Sequence, residues 1–235
     1  MPEMPYNEPT AGGPMTTPSD PTAPRTPLSK QRVLQAALRF ADQHGLETLS
    51  MRRLGQELGV EAMSLYKHVA NKEALLDGLA DLLIAEIEVP AEAADWQEAM
   101  RKRAQSAHQM LLRHPWGKAL MGARLNIGPA MVRYVDVTLG WLLNAGFSVG
   151  HALDAWHALD SYIYGYALQE LNLPFEPEQS ADIAAAFLSH LPAEVFPHFH
   201  RVVGQIMTSG RTESFEFGLD LLLAGLERVR TGQKI

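Results

Sequence analysis

The chain contains no cysteine among its 235 residues. Disulfides, thiolate zinc sites, iron–sulfur clusters and thiol catalysis are therefore excluded. No apolar run approaches the ~18 residues of a membrane span. The amino terminus also lacks the basic-then-apolar order of a secretory signal. Together these absences point to a cytoplasmic protein. Missing too are His-Glu-x-x-His, Gly-x-Ser-x-Gly and a phosphate loop: Gly117-Lys118 is followed by alanine, with no upstream glycine at the required spacing. The expectation is a protein that binds rather than catalyses, with no cofactor and no metal. His198 and His200 are two residues apart, which puts them on different sides of a helix and speaks against a metal pair. No stretch alternates as a half-buried strand does and no repeat recurs, so the fold class expected is all-α.

Positive charge is scarce overall, and its distribution carries the information. Net charge is −7. Yet Leu28 to Lys72 holds Lys30, Arg32, Arg39, Arg52, Arg53, Lys67 and Lys72 against Asp42, Glu47, Glu57 and Glu61, a surplus of 3 positive charges. A local basic patch in an acidic protein is what phosphate binding requires.

Residues 1–27 hold 8 of the 15 prolines and almost no large apolar side chains, so this segment is expected to be a disordered tail. Beyond it nearly everything has helical period. Val33, Ala37, Phe40 and Ala41 share one face of a helix that Ser29 can cap and Gly45 can end. Ser50 caps a short helix, Met51 to Leu58, stopped by Gly59. A third helix is expected over roughly 62–69, and Asn71 caps a fourth over roughly 72–88. Pro90 marks a domain boundary, giving domains at 28–90 and 91–235. Asp95 and Glu98 have the spacing of a capping box. Long helices follow at about 95–113, 129–145, 148–171 and 212–230, with shorter ones at 181–190 and 193–208.

The stretch Ser50–Lys72, SMRRLGQELGVEAMSLYKHVANK, has the physics of a helix-turn-helix. Two short helices meet at a glycine turn, so the second can project from the body. Leu54, Leu58, Val60, Leu65 and Val69 are spaced to pack on Val33, Ala37 and Phe40. Ala62, Met63, Ser64, Tyr66, Lys67 and His68 are left on a small, polar or basic face that suits the DNA major groove. Arg52 and Arg53 begin the preceding helix, within reach of a phosphate or a guanine edge.

The run LGVEAMSLYKHVANKEALLDGLADLL resembles the helix-turn-helix and following helix of the TetR family. LLRHPWGKAL and GFSVGHALDAWHALDSYIYGYALQEL are similar to the carboxy-terminal domain of that family's tetracycline-repressor subgroup. The resemblance implies a three-helix DNA-binding domain joined to a larger helical ligand-binding and dimerisation domain. It implies that Ser50, Tyr66, His68 and Lys72 hold the DNA backbone. Arg52, Ala62, Met63 and Ser64 match positions facing base edges. Ala62 and Met63 replace a polar-then-proline pair of that subgroup; they can touch a thymine methyl but cannot form a bidentate hydrogen bond to a purine. The subgroup's magnesium-binding histidines find no match, which argues against a metal–drug chelate as ligand.

In the second domain Phe215, Leu219, Leu222, Leu226 and Val229 are spaced 4, 3, 4, 3, as are Ala152, Trp156, Leu159, Ile163 and Tyr166. These are bundle seams. Both helices carry a second apolar face, Leu153, Tyr164, Ala167 and Leu168 on one and Leu221 and Leu223 on the other. One face can serve the core and the other a twin subunit. The resemblance implies a homodimer through these two helices, with Trp156, Leu159, Ile163, Phe215, Leu219, Leu222 and Leu226 as its expected interface. A largely apolar small-molecule pocket is expected from Trp96, Met100, His108, Met121, Arg124, Tyr134, Trp156, His157 and Asp160. For any one of these, ordinary core packing is the competing reading. His157 and Asp160 could simply hydrogen-bond each other one turn apart.

The function implied is a repressor that binds a near-palindromic operator as a homodimer and is released by a small-molecule inducer. An activator of the same fold is one alternative. A helical small-molecule-binding protein without DNA recognition is another.

Overall fold

Four of the helices begin where a short polar side chain takes up the first free backbone amides. In the computed structural model, which describes residues 27–90, 95–121, 128–172, 186, 188, 190–208 and 211–233, Ser29, Ser50, Asn71 and Asp95 each accept from the amide three residues on. Ser148 does the same for a fifth helix. The helices are α1 (Lys30–His44), α2 (Met51–Leu58), α3 (Ala62–Leu65), α4 (Lys72–Ala85), α5 (Trp96–Arg113), α6 (Lys118–Met121), α7 (Pro129–Asn144), α8 (Val149–Leu171), α9 (Pro197–Thr208) and α10 (Arg211–Arg230). Two 3-10 turns, Leu46–Thr48 and Pro115–Gly117, complete the pattern. There is no strand among the described residues, and the fold is all-α as expected. The tail up to residue 26, Arg124, and most of the helix expected over 181–190 lie outside the described residues.

Two helices end sooner than the periodicity suggests. The third closes at Leu65 because the amide of His68 turns back to the Leu65 carbonyl at 2.9 Å, a tight i to i−3 step. The fourth closes at Ala85 for the same reason, the Ile87 amide reaching the Ile84 carbonyl at 3.1 Å.

One apolar core runs through the molecule. Val33, Ala37 and Phe40 of α1 bury against Leu54, Leu65 and Val69, with Leu58 and Val60 at the edge. α4 continues this core with Leu75, Leu79, Leu83 and Ile84, all essentially inaccessible to water. Its other side meets α7, where the Asp81 carboxylate accepts from the amides of Ala130 at 3.0 Å and Met131 at 3.2 Å. A side chain of α4 thus caps the first turn of α7. A second tie lies at the end of α5. The buried His114 ring sets Nδ1 2.6 Å from Asp42 of α1 and Nε2 3.2 Å from Glu86, just past α4. Trp116 Nε1 donates to the same Asp42 oxygen at 2.7 Å.

The turn between α2 and α3 depends on two glycines. Gly59 has φ 65°, a left-handed conformation that favours glycine. Gly55 faces the backbone across the turn: a β-carbon there would lie 2.8 Å from the Val60 carbonyl oxygen. Gly55→Ala is expected to lower stability by about 1–3 kcal/mol through this overpacking. Urea unfolding measures it, and an unchanged midpoint would show that the turn is looser than this geometry.

Candidate nucleic-acid interface and interior cavity

α3 is only four residues long, and most of the chain around it is exposed or half-exposed. Leu65 and Val69 are buried and anchor it. Met63 is 74 % exposed and Tyr66 43 %, with Lys67 exposed and Ala62, Ser64 and His68 half-exposed. Lys72 opens α4 and is exposed, as is Arg52 on α2. Ser50 serves as the α2 cap, accepting from the Arg53 amide at 3.3 Å. Arg53 is exposed at the start of α2; its Nη1 donates to the Thr48 carbonyl at 3.3 Å, and the side chain lines a groove with Phe40 and His44.

The residues expected to line a pocket are not brought together in one place. Trp96 lies beside Trp141, Asn144 and Arg230 in an open cleft of about 520 Å³, its Nε1 donating to Glu227 at 3.3 Å. His108 stacks on Phe215 at 4.2 Å and sets Nε2 2.8 Å from Glu170, so it is part of the core. Met100, Tyr134, Trp156 and Asp160 converge on a residue the sequence reading did not single out, Arg103. This guanidinium is fully buried. Its Nε donates to Tyr134 Oη at 2.6 Å and its Nη2 to Asp160, and it lies 5.0 Å from the Tyr134 ring centre and 5.8 Å from that of Trp156. Cation–π attraction and a paired carboxylate together offset its desolvation. Asp160 therefore does not bond His157, which is exposed and meets the edge of Trp156. Trp156 Nε1 donates to the buried Thr138 hydroxyl at 3.1 Å.

An apolar cavity of about 460 Å³ opens next to this cluster, lined by Leu111, Lys118, Met121, Tyr164, Leu168 and Leu171 among others. Tyr164 lines this cavity. Burial pushes its phenol well above the usual tyrosine range, Tyr134 adds to that, and Arg103 pulls it back. Burial likewise raises Tyr134, against the pull of Arg103. Tyr162, which donates to the Phe215 carbonyl at 2.7 Å, is pushed up to about 12, again chiefly by burial.

The expected dimer residues need correction. Leu159, Ile163, Phe215 and Leu219 have exposures of 0–1 %, covered by the chain's own side chains. Trp156, Leu222 and Leu226 are partly buried against the same core. The heptad-like seam of α8 and α10 is used within the subunit. The opposite face is the uncovered one, with Leu153 at 46 %, Phe217 at 67 % and Leu221 at 61 % exposure.

Comparison with known proteins bears on both regions. Residues 33–79 match the family model for bacterial regulatory proteins of the tetR family, and residues 89–230 match the tetracyclin repressor-like C-terminal domain. The chain is 33 % identical over 207 residues to the tetracycline repressor protein class D of Escherichia coli, covering 85 % of this chain and 89 % of that one. It is 30 % identical over 221 residues to the HTH-type transcriptional repressor DrrR1 of Streptomyces coeruleorubidus, covering 87 % and 79 %. Apo ActR from Streptomyces coelicolor has a similar structure, with TM-score 0.76 at 31 % identity over 88 % of this chain and 98 % of that one; ActR is also known in complex with actinorhodin. The chain belongs to the TetR family of DNA-binding, ligand-responsive transcriptional regulators.

Proposed function

We propose that this protein is a repressor that binds a near-palindromic operator as a homodimer and leaves it when a small molecule occupies the carboxy-terminal domain. The observation that carries this reading is the surface around α3, where exposed Met63, Tyr66, Lys67 and Lys72 stand over a buried Leu65 and Val69. Such a surface has little to do except meet another molecule. Ser50, Tyr66, His68 and Lys72 hold phosphates; Arg52, Ala62, Met63 and Ser64 face the bases. Arg53, exposed beside Arg52, stands within reach of a phosphate.

Reading two half-sites requires two copies held ~34–36 Å apart. The uncovered apolar face of α8 and α10, with Leu153, Phe217 and Leu221, is the surface that would hold them. Resemblance to repressors such as DrrR1, and to ActR, which binds actinorhodin, supports an inducible system. The route from ligand to DNA runs through α4. Asp81 ties it to α7, Glu86 ties its end to His114, and Asn71 and Lys72 at its start adjoin α3. A ligand that displaces α7 or the α5 end then tilts α4 and changes the distance between the two α3 surfaces. The affinity for DNA lost in this way equals the ligand's preference for the released state.

Selection from a randomised duplex pool should enrich a near-palindrome; no enrichment from a folded protein at low salt would overturn the regulator reading. With that operator, Lys72→Ala should weaken binding about equally across sequences and lower the salt slope by ~1. Met63→Ala should shift base preference with little change in the slope, and the reverse pattern would mean the docking orientation is wrong. Sedimentation tests the dimer. Leu221→Asp should give a folded monomer, whereas Leu159→Ala should cost about 2–5 kcal/mol of folding stability without selective dissociation. If Leu221→Asp remains a dimer, the contact face lies elsewhere.

A further inference from the structure

Both nitrogens of the His114 ring face carboxylates. Nδ1 lies 2.6 Å from an Asp42 oxygen on α1, and Nε2 lies 3.2 Å from a Glu86 oxygen just past α4. A neutral imidazole carries one N–H. It donates to one of these oxygens and turns a lone pair toward the other. The imidazolium has two N–H groups and satisfies both. Each carboxylate oxygen is held by a second donor as well. Trp116 Nε1 donates to the Asp42 oxygen at 2.7 Å, and Arg113 Nη2 to the Glu86 oxygen at 3.2 Å.

The charges agree with the hydrogen bonds. Two carboxylates, Arg113 and His114 sum to zero only when the ring is charged. Other basic groups close by in the chain are engaged elsewhere: Lys118 donates to Asn172 at 3.1 Å, and His44 lies against the Phe40 ring. The ring is 9 % exposed, so water does little to relieve a bare nitrogen that faces an anion. The ring is also fixed in place. The His114 amide closes α5 on the Met110 carbonyl at 2.9 Å, and its carbonyl accepts from the Gly117 amide at 2.8 Å. His114 thus belongs to the carboxy-terminal bundle and Asp42 to the amino-terminal helices, and the tie between them helps set where those helices sit.

We propose that His114 is a positioning residue for DNA binding: as the imidazolium it seats α1 and the end of α4 against α5, and loss of one ring proton releases one of the two ties. The effect on DNA rests on the reading of this protein as an operator-binding repressor. A tie that needs the proton is fully present at low pH and is lost as pH rises. The stability that the joint contributes and the affinity for operator therefore fall together as the ring deprotonates.

Two measurements on the full chain test this, each from about pH 5.5 to about pH 8.5. One is urea unfolding without DNA. The other is affinity for the near-palindrome enriched from the randomised duplex pool. Over this range the unaltered chain should lose about tenfold more operator affinity than His114→Gln, and its unfolding constant should rise by a similar factor relative to that variant. His114→Gln lacks one tie at every pH, so it should bind weakly and without the step. Glu86→Gln is the rescue. Its amide N–H donates to the bare Nε2, so a neutral ring keeps both ties. This variant should hold, at the high end of the range, the affinity and stability that the unaltered chain has at the low end. His68, on the surface around α3, titrates in all three chains and drops out of the comparison. If His114→Gln fails to fold, Glu86→Gln against the unaltered chain decides. Parallel pH profiles for the unaltered chain and His114→Gln, or a step that survives in Glu86→Gln, would overturn the proposal. So would a step in stability with none in affinity, since His114 would then hold the fold without positioning it for DNA. A pool that enriches no near-palindrome removes the repressor reading alone. The urea profiles then decide by themselves: a step confined to the unaltered chain supports a proton-held joint, and its absence overturns it.

Discussion

α4 is buried on two sides, and that constraint organises the molecule. Leu75 and Leu79 complete the core of the amino-terminal helices, while Leu83 and Ile84 continue into the core of the carboxy-terminal bundle. A helix that belongs to two packing units cannot shift in one without disturbing the other, because close-packed interiors transmit displacement rather than absorb it. The polar ties reinforce this. Asp81 caps the start of α7 from α4, and His114 sets one ring nitrogen against α1 and the other against the residue after α4. That one helix of 14 residues packs against α1 on one side and α7 on the other, so the two regions share an element.

The amino-terminal half was legible because its signals are local. Capping residues, a left-handed glycine and a buried stripe one or two turns long lie within a few positions of each other. Ser29, Ser50, Asn71 and Asp95 begin helices as their chemistry suggests, and Leu54, Leu65 and Val69 are buried as their spacing suggests. What failed there was extent: i to i−3 closures at His68 and Ile87 end two helices early, and periodicity of side chains carries no trace of them.

In the carboxy-terminal half the apolar faces were legible but not their partners. Leu159 and Leu219 show the spacing of a bundle seam, and that spacing is the same whether the neighbouring helix comes from this chain or another. The three-dimensional packing assigns it to this chain. Arg103 was missed for a related reason. Its sequence neighbours, Arg101 and Lys102, suggest a solvated charged stretch, and its partners Tyr134 and Asp160 lie 31 and 57 residues away. An arginine on an otherwise apolar helical face is the signal that could have found it. Arg103 shares its α5 face with Met100, Ala104 and Ala107.

The brevity of α3 separates two kinds of change. Leu65 and Val69 hold the segment down, and Ala62, Met63 and Ser64, which we propose face the bases, take no place in the fully buried core. Substitutions at those three positions leave the interior packing intact, so the thermodynamic barrier to altering which DNA is read is small. A lineage carrying this fold can therefore retarget its operator in single steps without first acquiring compensating stability, whereas retuning the Arg103 cluster requires coordinated replacement of several interior groups.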